Sequence, residues 1–324
     1  MFWKRRRSKR GLKAYVQRSA RVLRWTFRAF LLLLILDLVY LGLTWPDWKK
    51  IANGPVPKSA FMREYERQRA DNKDWPKLRW QPVAFANFPK HLQRAVILAE
   101  DSRFYEHSGF DLIAFKEAMD YNLREGRFVF GASTISQQTV KNLFLTPSRN
   151  PLRKWHELIL TWGMERSLGK RRILEIYLNV VELGRGIYGV QAASQAYWGI
   201  GADQLSPQQA AELVATLPSP VKNNPATQTR QFERRSKKLL ALLERYPGDA
   251  AEAVRERPFE LFLPPPENGA ETVPEAEHEL WPAERPPAQG GDQPPPEAGD
   301  EAPPPDSERA YPPVEERSIR SDSL

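Results

Sequence analysis

The first 28 residues carry eleven Lys and Arg and no Asp or Glu, and they run straight into one apolar stretch, Phe30 to Leu43. Eleven of those fourteen residues are Phe, Leu, Ile or Val. At roughly −0.3 to −0.6 kcal/mol each they favour membrane insertion by about 5 kcal/mol, against roughly +3 kcal/mol for the central Asp37. Ala29 at one end and Trp45 and Trp48 at the other bring the stretch to about the ~17 residues that a helical span needs. The two tryptophans read as interfacial anchors. No small-x-small cleavage site follows, so the stretch reads as a retained anchor, not a signal peptide. The cations hold the N-terminus in the cytoplasm and place everything after residue 48 outside. Asp37 is either an interhelical contact or a tolerated charge.

This polarity removes nucleic acid as a partner of the main domain and turns the basic N-terminal stretch into a topology signal. Charge is uneven beyond it. Residues 29–257 hold 33 basic and 24 acidic residues, and residues 258–324 hold 4 and 16. A basic exported region suits an anionic substrate or membrane surface. The absence of cysteine excludes disulfides and thiolate metal sites.

The pattern predicts a basic segment over 1–28, a transmembrane helix over 29–48 and a juxtamembrane stalk or short helix over 49–84. A mainly α domain follows over 85–257, then a disordered acidic Pro-rich tail over 258–324. Leu92, Ala95, Val96 and Ala99 repeat at helical spacing behind Pro89 and deliver Glu100 to a helix end. Trp155, Leu158, Ile159, Trp162 and Leu168 mark a second helix. Ile173, Ile176, Tyr177 and Val180 mark a third. Pro207 to Leu217 forms a fourth, capped by Ser206 and stopped by Pro218. The tail holds sixteen prolines and cannot bury enough apolar surface to offset its ordering entropy.

Chemistry concentrates in two blocks. The first is Glu100-Asp101 with Arg103, Phe104, His107, Gly109 and Asp111. The second is Gly131-Ala132-Ser133-Thr134-Ile135-Ser136-Gln137-Gln138 with Lys141-Asn142. A core does not need so many hydrogen-bonding side chains together, since each one buried without a partner costs about 1–3 kcal/mol. Glycosyl transfer needs a base for the acceptor proton, and cations and N–H donors for a departing diphosphate. Glu100 supplies the first; Lys141, Arg153, Lys154 and Lys170 supply the second. Glu157 follows Arg153 by one helical turn, so both can face one cleft. Taken singly, each has a plainer reading: a solvated acidic helix end, a polar loop opening a helix, a surface ion pair, a structural histidine.

These blocks resemble the peptidoglycan glycosyltransferases, the family 51 glycosyltransferases. The likeness continues through Arg153-Lys154-Trp155-His156-Glu157, Lys170 to Asn179, and Gly184 to Ala193, covering about Phe88 to Pro225. It implies a lysozyme-like α domain that polymerises lipid II into β-1,4 glycan strands. Glu100 would deprotonate the acceptor hydroxyl, undecaprenyl pyrophosphate would leave, and the anomeric centre would invert. Lys141 and Arg153 would hold the donor diphosphate with Lys170 nearby, and Glu157 would be a second essential carboxylate. Ser133, Gln137, Gln138, Asn142, Asp101 and His107 would line the substrate site. No obligatory cofactor is implied; members differ in needing Mg2+ or Mn2+, with Glu100 the candidate ligand. The partners implied are lipid II, the growing strand, the bacterial inner membrane, and other cell-wall synthases or division proteins. Tyr121 to Phe130, with Phe128 and Phe130, would form a jaw where lipid enters. Ser219-Pro220-Val221-Lys222 spells S-x-x-K but no K-T-G follows, so the chain resembles the monofunctional, transglycosylase-only branch. Two competing readings stay open at this point. One is a lysozyme-type enzyme that cleaves glycan. The other is a non-enzymatic membrane scaffold.

Overall fold

A computed structural model describes residues 3–126, 131, 133–147 and 151–246 of the 324. The tail over 258–324, with Phe128 and Phe130 of the expected jaw, lies outside the described residues. The chain opens with a 41-residue helix, α1 (Trp3–Leu43). Its segment Gln17–Leu43 is long and apolar enough to cross a membrane. Nearly all of that segment is exposed, as a lipid-facing helix would be and a core helix would not.

Two short helices follow, α2 (Trp48–Asn53) and α3 (Ala60–Asp71), the latter capped by Ser59. The expected stalk over 49–84 is therefore corrected. Met62 and Tyr65 of α3 are buried in the main core, and α3 packs on a later helix, α6. A second correction concerns the tryptophans. Trp48 is not an interfacial anchor but a core residue, packed edge-on against Phe144 at 5.4 Å.

The domain proper is helical. After strand β1 (Arg79–Trp80) come α4 (Lys90–Glu100), α5 (Leu112–Glu125), α6 (Ile135–Phe144), α7 (Pro151–Ser167) and α8 (Lys170–Val180). Strands β2 (Glu182–Gly184) and β3 (Ile187–Tyr188) complete a small sheet in the order β1-β3-β2, with Arg79 opposite Ile187 and Trp80 opposite Tyr188. The series closes with α9 (Val190–Trp198), α10 (Pro207–Thr216) and α11 (Arg230–Arg245). Apolar residues at helical spacing make α8 the central rod: Ile173, Ile176, Tyr177 and Val180 are all fully buried. The rod packs on α6, which in turn packs on α7, while α10 lies between α4 and α11. Ser206 caps α10 and Gln209 reaches back to complete a capping box, as the S-P-x-Q spelling predicts.

α7 forms where Trp155, Leu158, Ile159 and Trp162 predict a helix, but its apolar stripe does not face the core. Trp155 and Trp162 are exposed, and Leu158, Ile159 and Trp162 line an open hollow with Phe110. The inner side of α7 carries Glu157, Leu160, Thr161 and Met164 instead. At Gly163 the backbone admits the end of the anchor: a Cβ there would lie 2.6 Å from Trp45 Cζ2 and 3.1 Å from Trp48 Nε1.

Candidate active site

α4 ends on Glu100, as its apolar spacing predicts. The carboxylate is held on both oxygens. Gln138 Nε2, from α6, donates to Oε2 at 3.0 Å, and Arg235 Nη2, from α11, donates to Oε1 at 3.2 Å. Tyr177 of α8 donates its hydroxyl hydrogen to Gln138 Oε1 at 3.2 Å, which fixes the amide with its NH2 toward Glu100. Burial holds the Tyr177 phenol well above its usual pKa, so it remains a donor. The Glu100 side chain keeps 15% exposure, so it is shielded yet reachable.

One turn beyond Gln138 on α6 stands Lys141. Burial pushes its ammonium below the ordinary lysine range. Glu157 and Glu100 oppose that shift, and Arg153 and Lys154 add to it, so each of these four charges acts on Lys141. Among the described residues, neither Lys141 nor Arg153 has a carboxylate within salt-bridge distance, and Arg153 Nε is buried with no hydrogen-bond partner. Glu157, itself buried, pairs with Lys154 Nζ at 2.5 Å rather than with Arg153, so the near-turn partner is i−3 and not i−4. Two cations left without anions in a half-buried setting are suited to an incoming anion.

Other expected site residues are committed to the protein. Asp101 accepts from His107 Nε2 at 2.9 Å and from the Ile135 N–H at 3.0 Å. His107 accepts the Gly109 N–H at Nδ1, which leaves the hydrogen on Nε2 for Asp101. Gln137 Oε1 accepts the Thr134 N–H, and Thr134 Oγ1 accepts the Gln137 N–H, forming the capping box of α6. Thr134 Oγ1 also donates to the Gly109 carbonyl at 2.7 Å. Gly109 has φ +92°, and a Cβ there would lie 2.9 Å from Thr161 Cγ2, so only glycine serves. Lys170 pairs with Glu165 at 2.7 Å and lies 4.5 Å over the Phe104 ring, while Ser136 donates to the same Glu165. Ser133 is exposed just ahead of α6, and Asn142 is buried on it.

Arg235 and Glu165 were absent from the sequence reading. Neither carries a local signal: Arg235 is one cation among several on α11, 135 residues from Glu100.

Carboxylates near one another also raise the matter of a metal. Asp101, His107 and Asp111 offer atoms within 4.8 Å of each other. Asp101 is used as above, and Asp111 binds Arg103 through both oxygens while capping α5 through the Ile113 and Ala114 N–H groups. Glu100 faces a guanidinium and an amide NH2, both donors. These carboxylates are engaged by protein donors, which would compete with Mg2+ or Mn2+ for the same oxygens.

Glu100 at the end of α4, held by α6 and α11, and the cations around Lys141 thus border one junction of helices. The profile of the transglycosylase family matches residues 69–244. The biosynthetic peptidoglycan transglycosylase of Thiobacillus denitrificans is 44% identical over 197 residues, covering 60% of this chain and 83% of its own length. That of Nitrosospira multiformis is 41% identical over 197 residues, with 61% and 86% covered. That of an Azoarcus species is 44% identical over 202 residues, again with 61% and 86% covered. The chain belongs to the transglycosylase family, and it is a glycosyltransferase.

Proposed function

We propose that this enzyme polymerises lipid II into β-1,4 glycan strands, releasing undecaprenyl pyrophosphate with inversion. The observation that carries the reading is that Glu100, Arg153 and Glu157 all act electrostatically on Lys141, while among the described residues neither Lys141 nor Arg153 has a carboxylate within salt-bridge distance. Glu100 takes the proton from the acceptor sugar 4-hydroxyl. That oxygen forms a bond to the anomeric carbon of the lipid-linked donor. The bond from that carbon to the diphosphate breaks, and the electron pair leaves on the diphosphate, whose charge Lys141 and Arg153 neutralise. Glu157 holds Lys154 beside them and offsets the cost of crowding like charges. Gln138, with Tyr177 behind it, and Arg235 aim the base. Asp101, His107 and Gln137 act one step removed, by joining the Glu100 turn to the start of α6. Lys170 supports the Glu165–Phe104 cluster.

The apolar outer side of α7 and the exposed Leu112, Ile113, Phe115, Met119 and Leu123 of α5 support a lipid-facing surface along which the substrate's tail approaches. With the cationic N-terminus in the cytoplasm, the domain works on the periplasmic side of the inner membrane. Transpeptidation is not part of this reading. Ser219 and Lys222 sit in a turn after α10, where the Lys222 N–H bonds to the Ser219 carbonyl, and residues 223–324 do not spell K-T-G. Purified lipid II offered to the full chain yields polymer, not glycan fragments. Glu100→Gln lowers that rate at least ~10²-fold, the low end of what a positioned base contributes, with membrane retention unchanged. Undiminished polymerisation by Glu100→Gln sinks the assignment.

A further inference from the structure

Asp37 lies within the membrane-crossing segment Gln17–Leu43, in its C-terminal third, yet its side chain is largely covered by the protein. His156 Nε2 lies 2.7 Å from Oδ1, and Trp155 Nε1 donates to Oδ2 at 3.2 Å. Only 12% of the Asp37 side chain and 13% of His156 remain exposed. Tyr40, one turn further along α1, meets the same His156 ring with centroids 5.9 Å apart. Lower down, Trp45 fills the notch at Gly163. Asp37 to Trp45 spans eight residues of the anchor, and His156 to Gly163 spans seven of α7. The two segments therefore run alongside in the same direction, pinned at both ends. The upper pin is polar and directional, and the lower one is a steric fit.

His156 and Trp155 stand between the residues that form the cationic cradle: Arg153 and Lys154 precede them, and Glu157 follows. At about 100° per residue, Arg153 and Glu157 lie about 40° apart on α7, His156 stands about 60° from Arg153 on the flank, and Trp155 points about 160° away from both. A helix is stiff over two turns, so fixing the rotation of one side fixes the other. We propose that Asp37 is a positioning residue for the transfer reaction. From inside the anchor it sets the rotation of α7, and so the aim of Arg153 and Glu157 toward Lys141. Ionisable groups within a membrane segment are costly and are retained where they have a partner and a task. Here the partner is on the catalytic domain. The proposal rests on the lipid II reading for its kinetic arm only.

The test uses the full chain in phosphatidylglycerol nanodiscs. Asp37→Leu makes the anchor more apolar, so insertion and retention do not suffer. If Asp37 were merely tolerated, this variant would polymerise lipid II within about twofold of the parent chain. Positioning predicts a loss of about tenfold to a hundredfold, the scale set by small displacements of a reacting geometry. Asp37→Asn keeps an acceptor oxygen for one donor and loses less than Asp37→Leu. The exchange D37H/H156D re-forms the pair from opposite sides and recovers activity over either single change. Deuterium uptake at residues 151–160 rises in Asp37→Leu and returns toward the parent level in the exchange. Near-parent turnover of Asp37→Leu, unchanged uptake, or an exchange no better than the singles overturns the proposal. A parent chain that makes no polymer condemns the lipid II reading instead, and the uptake data then judge the contact by themselves.

Discussion

α7 and α8 are neighbours in sequence and both border the site, yet their polarity is opposite. α8 follows the usual rule: Ile173, Ile176, Tyr177 and Val180 are fully buried, while its charged residues Lys170, Arg171, Arg172 and Glu175 are exposed or only partly buried. α7 is inverted. Glu157 and Thr161 are buried, while Trp155 and Trp162 stand exposed. One helix serves the core; the other separates a polar cleft from an apolar exterior. The contrast shows that α7 carries apolar residues on two sides, Leu160 and Met164 inward and Trp155 and Trp162 outward, with Glu157 and Thr161 buried among the inward ones.

The largest expected effect breaks the α8 side. Ile176→Ala removes a fully buried side chain and costs about 2–5 kcal/mol. In a domain of this size thermal melting falls by about 5–15 °C. A shift of only a degree or two removes α8 from its central role. Just past α8, the mostly buried Glu182 sharpens the comparison through pH. Burial raises its pKa from 4.5 to about 7. Between those values the folded state binds more protons than the unfolded state, so stability declines as pH rises from about 5 to 7 and levels off above. Glu182→Gln matches the parent chain near pH 4.5 and gains about 1–3 kcal/mol on it at pH 8. A stability difference independent of pH rejects this account.

On the α7 side the effects move from stability to function. Glu157→Gln keeps shape and loses charge, so polymerisation slows by about tenfold or more while melting changes little. Its partner Lys154 is 49% exposed and needs no buried counter-charge. Equal rates would place Glu157 outside the chemistry. The smallest change in stability belongs to Trp162→Ala, within about 0.5 kcal/mol, because the ring faces outward. Binding of the detergent-free protein to anionic vesicles weakens nonetheless. A core-sized melting loss would show that α7 turns this face inward after all.

Much was legible where one local rule sufficed. Helical spacing located α4, α8 and α10, and the Ser206-Pro207 pair marked where α10 starts. Glu100, Arg153 and Glu157, singled out in the sequence with Lys141, all act electrostatically on that lysine. Gln137 was expected to line the cleft, although Thr134-Ile135-Ser136-Gln137 spells a capping box and that spelling could have been read. The segment 49–84 looked like a stalk because charged residues surround its few apolar ones, yet Met62 and Tyr65 suffice to seat α3 in the core. Asp37, Glu165 and Arg235 were beyond reach for a different reason. Each earns its role from a partner on another element, and no pattern along the chain encodes who that partner is.

The guanidinium beside Glu100 has a consequence for biogenesis. Arg235 comes from α11, and Arg94 of α4 in turn grips the Leu243 and Tyr246 carbonyls at that helix's far end. The Glu100 carboxylate is thus held by a residue synthesised 135 positions after it. A nascent chain halted near residue 225 already holds Lys141, Arg153 and Glu157, but lacks the arm that aims its base. On the proposed reading, such a chain transfers sugars more slowly than one that includes α11, which a polymerisation assay on the shortened chain checks.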